Sequence, residues 1–165
     1  MSSIIKVNEI QDGGGNTIIK TDGSGNVTNN ITNYPAFGAR GTSDQAISAG
    51  TYTTLTFPTE EFDTDSAYGS NKFTVPSGKA GKYFFSVQME AKNNNNVIQL
   101  YWVKNDTRNS QHRIVVRQDT STTDPGIVMT AMFDLSEADT VSVQVYFSQA
   151  GDARYKWFQG FRVGD

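Results

Sequence analysis

The stretch Thr140-Val-Ser-Val-Gln-Val-Tyr-Phe-Ser-Gln149 decides how the chain reads. Val141, Val143, Val145 and Phe147 fall on one side of an extended backbone, and Ser142, Gln144, Tyr146 and Ser148 on the other, because successive strand side chains point to opposite faces. One face is core and one is not. Gly81 to Lys92 repeats the pattern, with Tyr83, Phe85, Val87, Met89 and Ala91 set against Phe84, Ser86, Gln88 and Glu90. Outward from these two segments, period-two runs recur from Tyr34 onward. Clusters of Gly, Pro, Asn and Asp separate them at a spacing of roughly 8–12 residues, and no long helical period intervenes. The pattern predicts an all-β, antiparallel sandwich.

Two segments depart from clean alternation. Val97-Ile-Gln-Leu-Tyr-Trp-Val103 places Ile98, Leu100 and Trp102 on one face and Val97, Tyr101 and Val103 on the other. Tyr155 to Val163 places Tyr155, Trp157, Phe161 and Val163 on one side and Phe158 beside Gly160 on the other. A sheet of a sandwich has one inner face, so a second apolar face needs a cover from a loop, the N-terminal segment or another chain. Self-association is therefore expected.

The 165 residues accommodate one domain and a short extension. Fourteen Lys and Arg against 17 Asp and Glu give a net charge of −3, which lacks the basic excess that nucleic-acid phosphates demand. There is no cysteine, so disulfides, thiolate metal sites and cysteine nucleophiles are excluded, and the single histidine, His112, excludes multi-histidine metal sites. The apolar runs fall short of the roughly 18–20 residues of a membrane span. The N-terminus has no basic region leading into an apolar one, so a soluble chain without a secretion leader is expected. Sequons at Asn26, Asn30 and Asn105 then carry no meaning.

The first 33 residues differ from the rest. Ile4, Ile5, Val7, Ile10, Ile18, Ile19 and Val27 sit between runs of Gly, Asn, Asp and Ser, too sparse to fill a core. Asp12-Gly-Gly-Gly-Asn16 returns as Asp22-Gly-Ser-Gly-Asn26, a near-repeat of tight-turn residues that predicts short strands broken by turns. In neither copy does a Lys-Ser/Thr directly follow the glycines as in a phosphate loop, and neither has the alternating oxygen ligands of a calcium loop.

From Tyr34 to Val163 the order of elements resembles the trimeric jelly roll of the complement globular head and the tumour-necrosis-factor superfamily. The residues that carry it are Pro35-Ala-Phe-Gly-Ala-Arg40, Tyr52-Thr-Thr-Leu-Thr-Phe57, Lys72-Phe-Thr-Val-Pro76, Gly81-Lys-Tyr-Phe-Phe-Ser86, the strand from Gly126 to Leu135, Asp139-Thr-Val-Ser-Val143 and Trp157-Phe-Gln-Gly-Phe161. The chain departs from that family at Ala138, where glycine is common, and in the longer insert Pro76-Ser-Gly-Lys-Ala80. Residues 1–33 contain no collagen-like Gly-x-y repeat. Ser3-Ile-Ile-Lys-Val-Asn-Glu-Ile-Gln-Asp12 followed by Gly15-Asn-Thr-Ile-Ile19 is similar to the openings of structural proteins of tailed bacteriophages, in which a short anchor precedes a trimeric fibre or head.

Catalytic chemistry has little to stand on. His112 lies in a strand-like run without a nucleophile-elbow motif. Glu60, Glu61, Asp63 and Asp65 offer paired carboxylates, read as a solvated acidic loop between Pro58 and Gly69. The tracts Asn93 to Asn96, Asn105 to Asn109 and Asp119 to Asp124 read as loops at the ends of the sandwich, where a rigid scaffold carries recognition.

The sequence expectation is thus a non-enzymatic virion structural protein, a short trimeric fibre or decoration-type protein of a tailed bacteriophage. An attachment segment over residues 1–33, held through Ile4, Ile5, Val7 and Ile10, precedes a jelly-roll β-sandwich head over residues 34–165. Tyr34, Phe37, Tyr101, Tyr155 and Trp157 are the expected trimer contacts. The expected partners are two further copies, other virion proteins and a host-surface glycan or receptor, with no cofactor, metal, nucleic acid or membrane insertion. The alternative is a soluble lectin-like or receptor-binding trimer outside any virion.

Overall fold

A computed structural model of the protein describes residues 7–29, 34–92, 97–118 and 124–164. The chain forms two compact units, Met1–Asn33 and Tyr34–Asp165.

In the first unit β1 (Glu9–Gln11), β2 (Thr17–Thr21) and β3 (Val27–Asn29) form an antiparallel sheet in sequence order. The repeated turns share one device. Asp12 Oδ1 accepts from the Gly14 and Asn16 backbone N–H at 2.8 and 2.9 Å, and Asp22 Oδ1 accepts from Ser24 and Asn26 at 2.8 and 3.2 Å. Gly15 and its counterpart Gly25 take the positive φ that these turns require. Val7, Ile10 and Val27 stay exposed, as expected of a sheet with too few apolar residues to close a core.

The second unit contains β4 (Ala36–Arg40), β5 (Gln45–Ile47), β6 (Tyr52–Thr54), β7 (Thr59–Asp63), β8 (Tyr68–Gly69), β9 (Lys72–Thr74), β10 (Gly81–Lys92), β11 (Val97–Lys104), β12 (Thr107–Arg117), β13 (Gly126–Leu135), β14 (Thr140–Phe147) and β15 (Gly151–Gly164). One sheet runs β13-β10-β15-β4-β7, with β5 also on β15. The other runs β12-β11-β14-β9-β8, with β6 also on β14. From β9 to β15 the chain passes to the opposite sheet at every connection except the β11–β12 hairpin, so neighbours in a sheet are distant in sequence. This is an antiparallel jelly roll, as the alternation and the order of segments led us to expect.

The β11–β12 hairpin turns in two residues, Asn105 and Asp106, both with positive φ (49° and 58°), the geometry whose twist matches the flanking strands. The core between the sheets is aromatic. Phe37 meets Phe158 edge-on at 4.8 Å and stacks on Phe73 at 5.2 Å, while Trp102 and Phe158 lie 5.8 Å apart. Gly160 is obligatory there, since a Cβ would lie 2.4 Å from Cδ1 of the buried Phe85 ring.

Three expectations need correction. The acidic segment is not simply a loop, because residues 59–63 form β7 and pair with β4. There Glu61 binds Arg40, and the Asp63 carboxylate accepts from the backbone of Asp65, Ala67 and Tyr68 as it turns the chain. Phe37 is fully buried in the core and has no surface to give a second chain. Tyr101, 5% exposed, is covered from within its own unit, by the Tyr52 ring at 5.5 Å and the Arg113 side chain.

Candidate assembly face

The outward face of the β13-β10-β15-β4-β7 sheet is the most distinctive apolar surface of the jelly roll. Its rows follow from register, because directly opposed residues of antiparallel strands share a face. Met132, Phe84, Phe161 and Ala36 stand side by side across β13, β10, β15 and β4. The next row is Thr130, Ser86, Gln159, Gly38 and Phe62, and beyond it come Val128, Gln88, Trp157 and Arg40. Met132 is 58% exposed, Val128 59%, Phe161 48% and Phe62 46%, values a soluble sheet face avoids unless something covers it. Phe84 and Phe161 already touch, with ring centroids 5.5 Å apart, and so present one joined apolar surface.

In the middle row the Phe62 ring lies over the Gly38 backbone. Gly38 cannot be larger, since a Cβ there would lie 2.5 Å from the Phe62 ring. At one edge a bulge in β15 gives Tyr155 a positive φ of 50° and leaves its ring 69% exposed. Beside it a hollow of about 240 Å³ opens between Gln88, Met89, Glu90, Gly126, Ile127, Val128 and Tyr155. Charges sit around this apolar centre. Arg154 binds Glu90 and, at 2.8 Å, Asp124, and Arg40 binds Glu61. An apolar centre with a charged rim is the anatomy of a protein–protein contact.

Of the residues expected to meet other copies, Trp157 lies in the face and Tyr155 at its edge. Tyr34 is 40% exposed at the start of the unit with the Arg162 guanidinium 5.6 Å from its ring, Phe37 is core, and Tyr101 lies on the other sheet. Sequence reasoning missed Phe84, Val128, Met132 and Phe62. The Gly126–Leu135 alternation shows that Val128 and Met132 share a face, but only register shows that Met132 meets Phe84 and Phe161. In the first unit Val7 and Ile10 are exposed, while Ile4 and Ile5 lie outside the described residues.

His112, half-buried, meets the Phe133 ring edge-on at 4.9 Å. The hollow beside it is lined by Trp102, Gln111, Arg113, Met129, Thr130 and Ala131, without a carboxylate. Lys156, buried in the β15 bulge, donates to the Ser43 and Ala153 carbonyls at 3.1 and 3.3 Å, and burial lowers its pKa. Among the described residues no group of three or more His, Asp or Glu side chains could hold a metal ion, and no helix is long and apolar enough to cross a membrane.

The fold class is matched in solved structures. The globular domain of the zebrafish complement 1qA protein superposes with a TM-score of 0.55 at 16% identity, over 79% of this chain and 98% of that one. Murine APRIL superposes with a TM-score of 0.61 in its pH 5.0 crystal structure and 0.59 in its pH 8.5 structure. Identity is 9% in both, over 79% of this chain and 99% of that one. No family model and no curated protein matches the sequence. The likeness is one of fold.

Proposed function

We propose that the protein is a non-enzymatic, self-assembling display module. Three copies bury the Met132–Phe84–Phe161 face around a shared axis, and the loops and the opposite sheet are presented outward. The observation that carries this reading is the apolar face that the described residues of the second unit leave exposed. The number three rests on the resemblance of the Tyr34–Val163 segments to a trimeric family, and the superpositions with complement-head and APRIL structures support the fold that resemblance implies.

In this reading the first unit is the anchor, and its exposed Val7, Ile10 and Val27 need a partner surface. The similarity of Ser3 to Ile19 to the openings of phage structural proteins makes that partner another virion protein, and the chain a short fibre or decoration-type protein of a tailed bacteriophage. Immunogold electron microscopy of phage particles produced in cells that make the protein tests this directly. Label on particles is the expected result. Label confined to the particle-free fraction would instead make the chain a free receptor-binding module of the same fold.

A further inference from the structure

The opposite sheet, β12-β11-β14-β9-β8 with β6, carries a second unusual surface. None of its strands contains an aspartate or glutamate, whereas the chain as a whole has 17 acidic residues and a net charge of −3. Register puts Arg108, Arg113 and Arg117 on its outward face, opposite Val103, Tyr101 and Val97. Among the described residues no carboxylate pairs with any of the three, and the partners of Arg108 and Arg113 are neutral. Arg108 lies 3.8 Å over the Tyr52 ring and donates to Gln144 Oε1 at 2.9 Å, and Arg113 donates to the Tyr101 hydroxyl at 3.1 Å.

Tyr52 and Tyr101 join the two guanidinium groups into one cluster, with their rings 5.5 Å apart. Burial pushes the Tyr101 phenol up, yet the Arg113 and Tyr52 hydrogen bonds and the two arginine charges bring it below its ordinary value, the mark of a positive local field. Each guanidinium keeps N–H donors in the planar fork that grips a carboxylate or sulfate by two bonds. Tyr52, 39% exposed, and the adjacent Tyr146 ring, 5.1 Å away, supply apolar surface beside those donors. The geometry points to a binding face for an acidic polysaccharide, whose anionic groups engage Arg108 and Arg113 while sugar C–H groups lie against the Tyr52–Tyr146 edge. The charge complements this sheet. Two guanidinium groups match the sparse charge of such a polymer, whereas nucleic acid, with about one charge per 1.7 Å of duplex, would set most of its charge against the acidic remainder of the chain.

This inference deepens the display half of the reading above and rests on it, while needing nothing from the assembly half. The test measures binding of the full chain, by calorimetry at fixed low salt, to carboxymethyl-dextran, neutral dextran of equal length and a single-stranded oligonucleotide of equal total charge. Carboxymethyl-dextran should bind and neutral dextran should not. Arg108→Gln/Arg113→Gln should weaken binding about tenfold or more, as expected for losing two charge-assisted contacts. Lys20→Gln/Lys79→Gln, which removes the same charge elsewhere, should change it less than about twofold. Circular dichroism confirms that both variants are folded, and light scattering on the same samples reads the assembly state separately. No binding, an equal loss in both variants, or tighter binding of the oligonucleotide would overturn the inference without touching the assembly claim.

Discussion

At the scale of single residues, backbone geometry decides more than side-chain type. Gly160 faces the Phe85 ring so closely that Gly160→Ala should destabilise the fold by about 1–3 kcal/mol, read as a lower urea midpoint at unchanged slope. Ala138 makes the opposite case. It stands where glycine is common in the resembled family, and its φ of 66° lies in the left-handed region. Ala138→Gly should raise stability by about 0.5–1 kcal/mol in the same assay. One residue on, Asp139 accepts from Asn105 Nδ2 at 2.7 Å, from Lys104 Nζ at 2.8 Å and from the Ser136 backbone at 2.9 Å. The Asn105 and Lys104 contacts lead in bringing its pKa down from 3.8 to about 2. A carboxylate lowered in the folded state stabilises the fold above its unfolded pKa, and that share is lost as pH falls from about 4 toward 2. Asp139→Asn should therefore cost about 1 kcal/mol at pH 7 and progressively less as acid unfolding is followed through that window.

At the scale of strands, alternation showed which residues share a face but not which face is covered. The inner face of Gly81–Lys92 was legible because its partner residues are polar or small, apart from Phe84. The 97–103 and 155–163 segments were ambiguous because both of their faces are apolar, and the resolution came from outside each strand. Tyr52, distant in sequence, pairs onto β14 and lays its ring against Tyr101, so that apolar face is closed within one chain. Among the described residues of the jelly roll, nothing closes the face of Phe161 and Met132 to the same degree. The two faces should respond differently to mutation. Tyr52→Ala should lower thermal stability by about 1–2 kcal/mol, as it uncovers Tyr101, and leave the solution mass unchanged. The acidic segment misread as a loop shows the same limit, because only the pairing of β7 with β4 reveals that strand.

At the scale of the whole molecule, the jelly roll has two unlike outward faces, one apolar with charges at its rim and one basic, whose strands hold no carboxylate and whose turn residue Asp106 is bound by Lys72. In the proposed function the first is buried among copies while the second is presented, so assembly and display use separate surfaces. The solution mass of the full chain by light scattering, alone and as Met132→Asp/Phe161→Asp, tests the central claim most directly. The account predicts three times the 18.1 kDa of one chain for the wild type. For the variant it predicts a folded single chain, because an aspartate is readily hydrated at positions already 58% and 48% exposed but costly to bury against another copy. A wild type that runs as one chain, or a variant that keeps the wild-type mass, would contradict it.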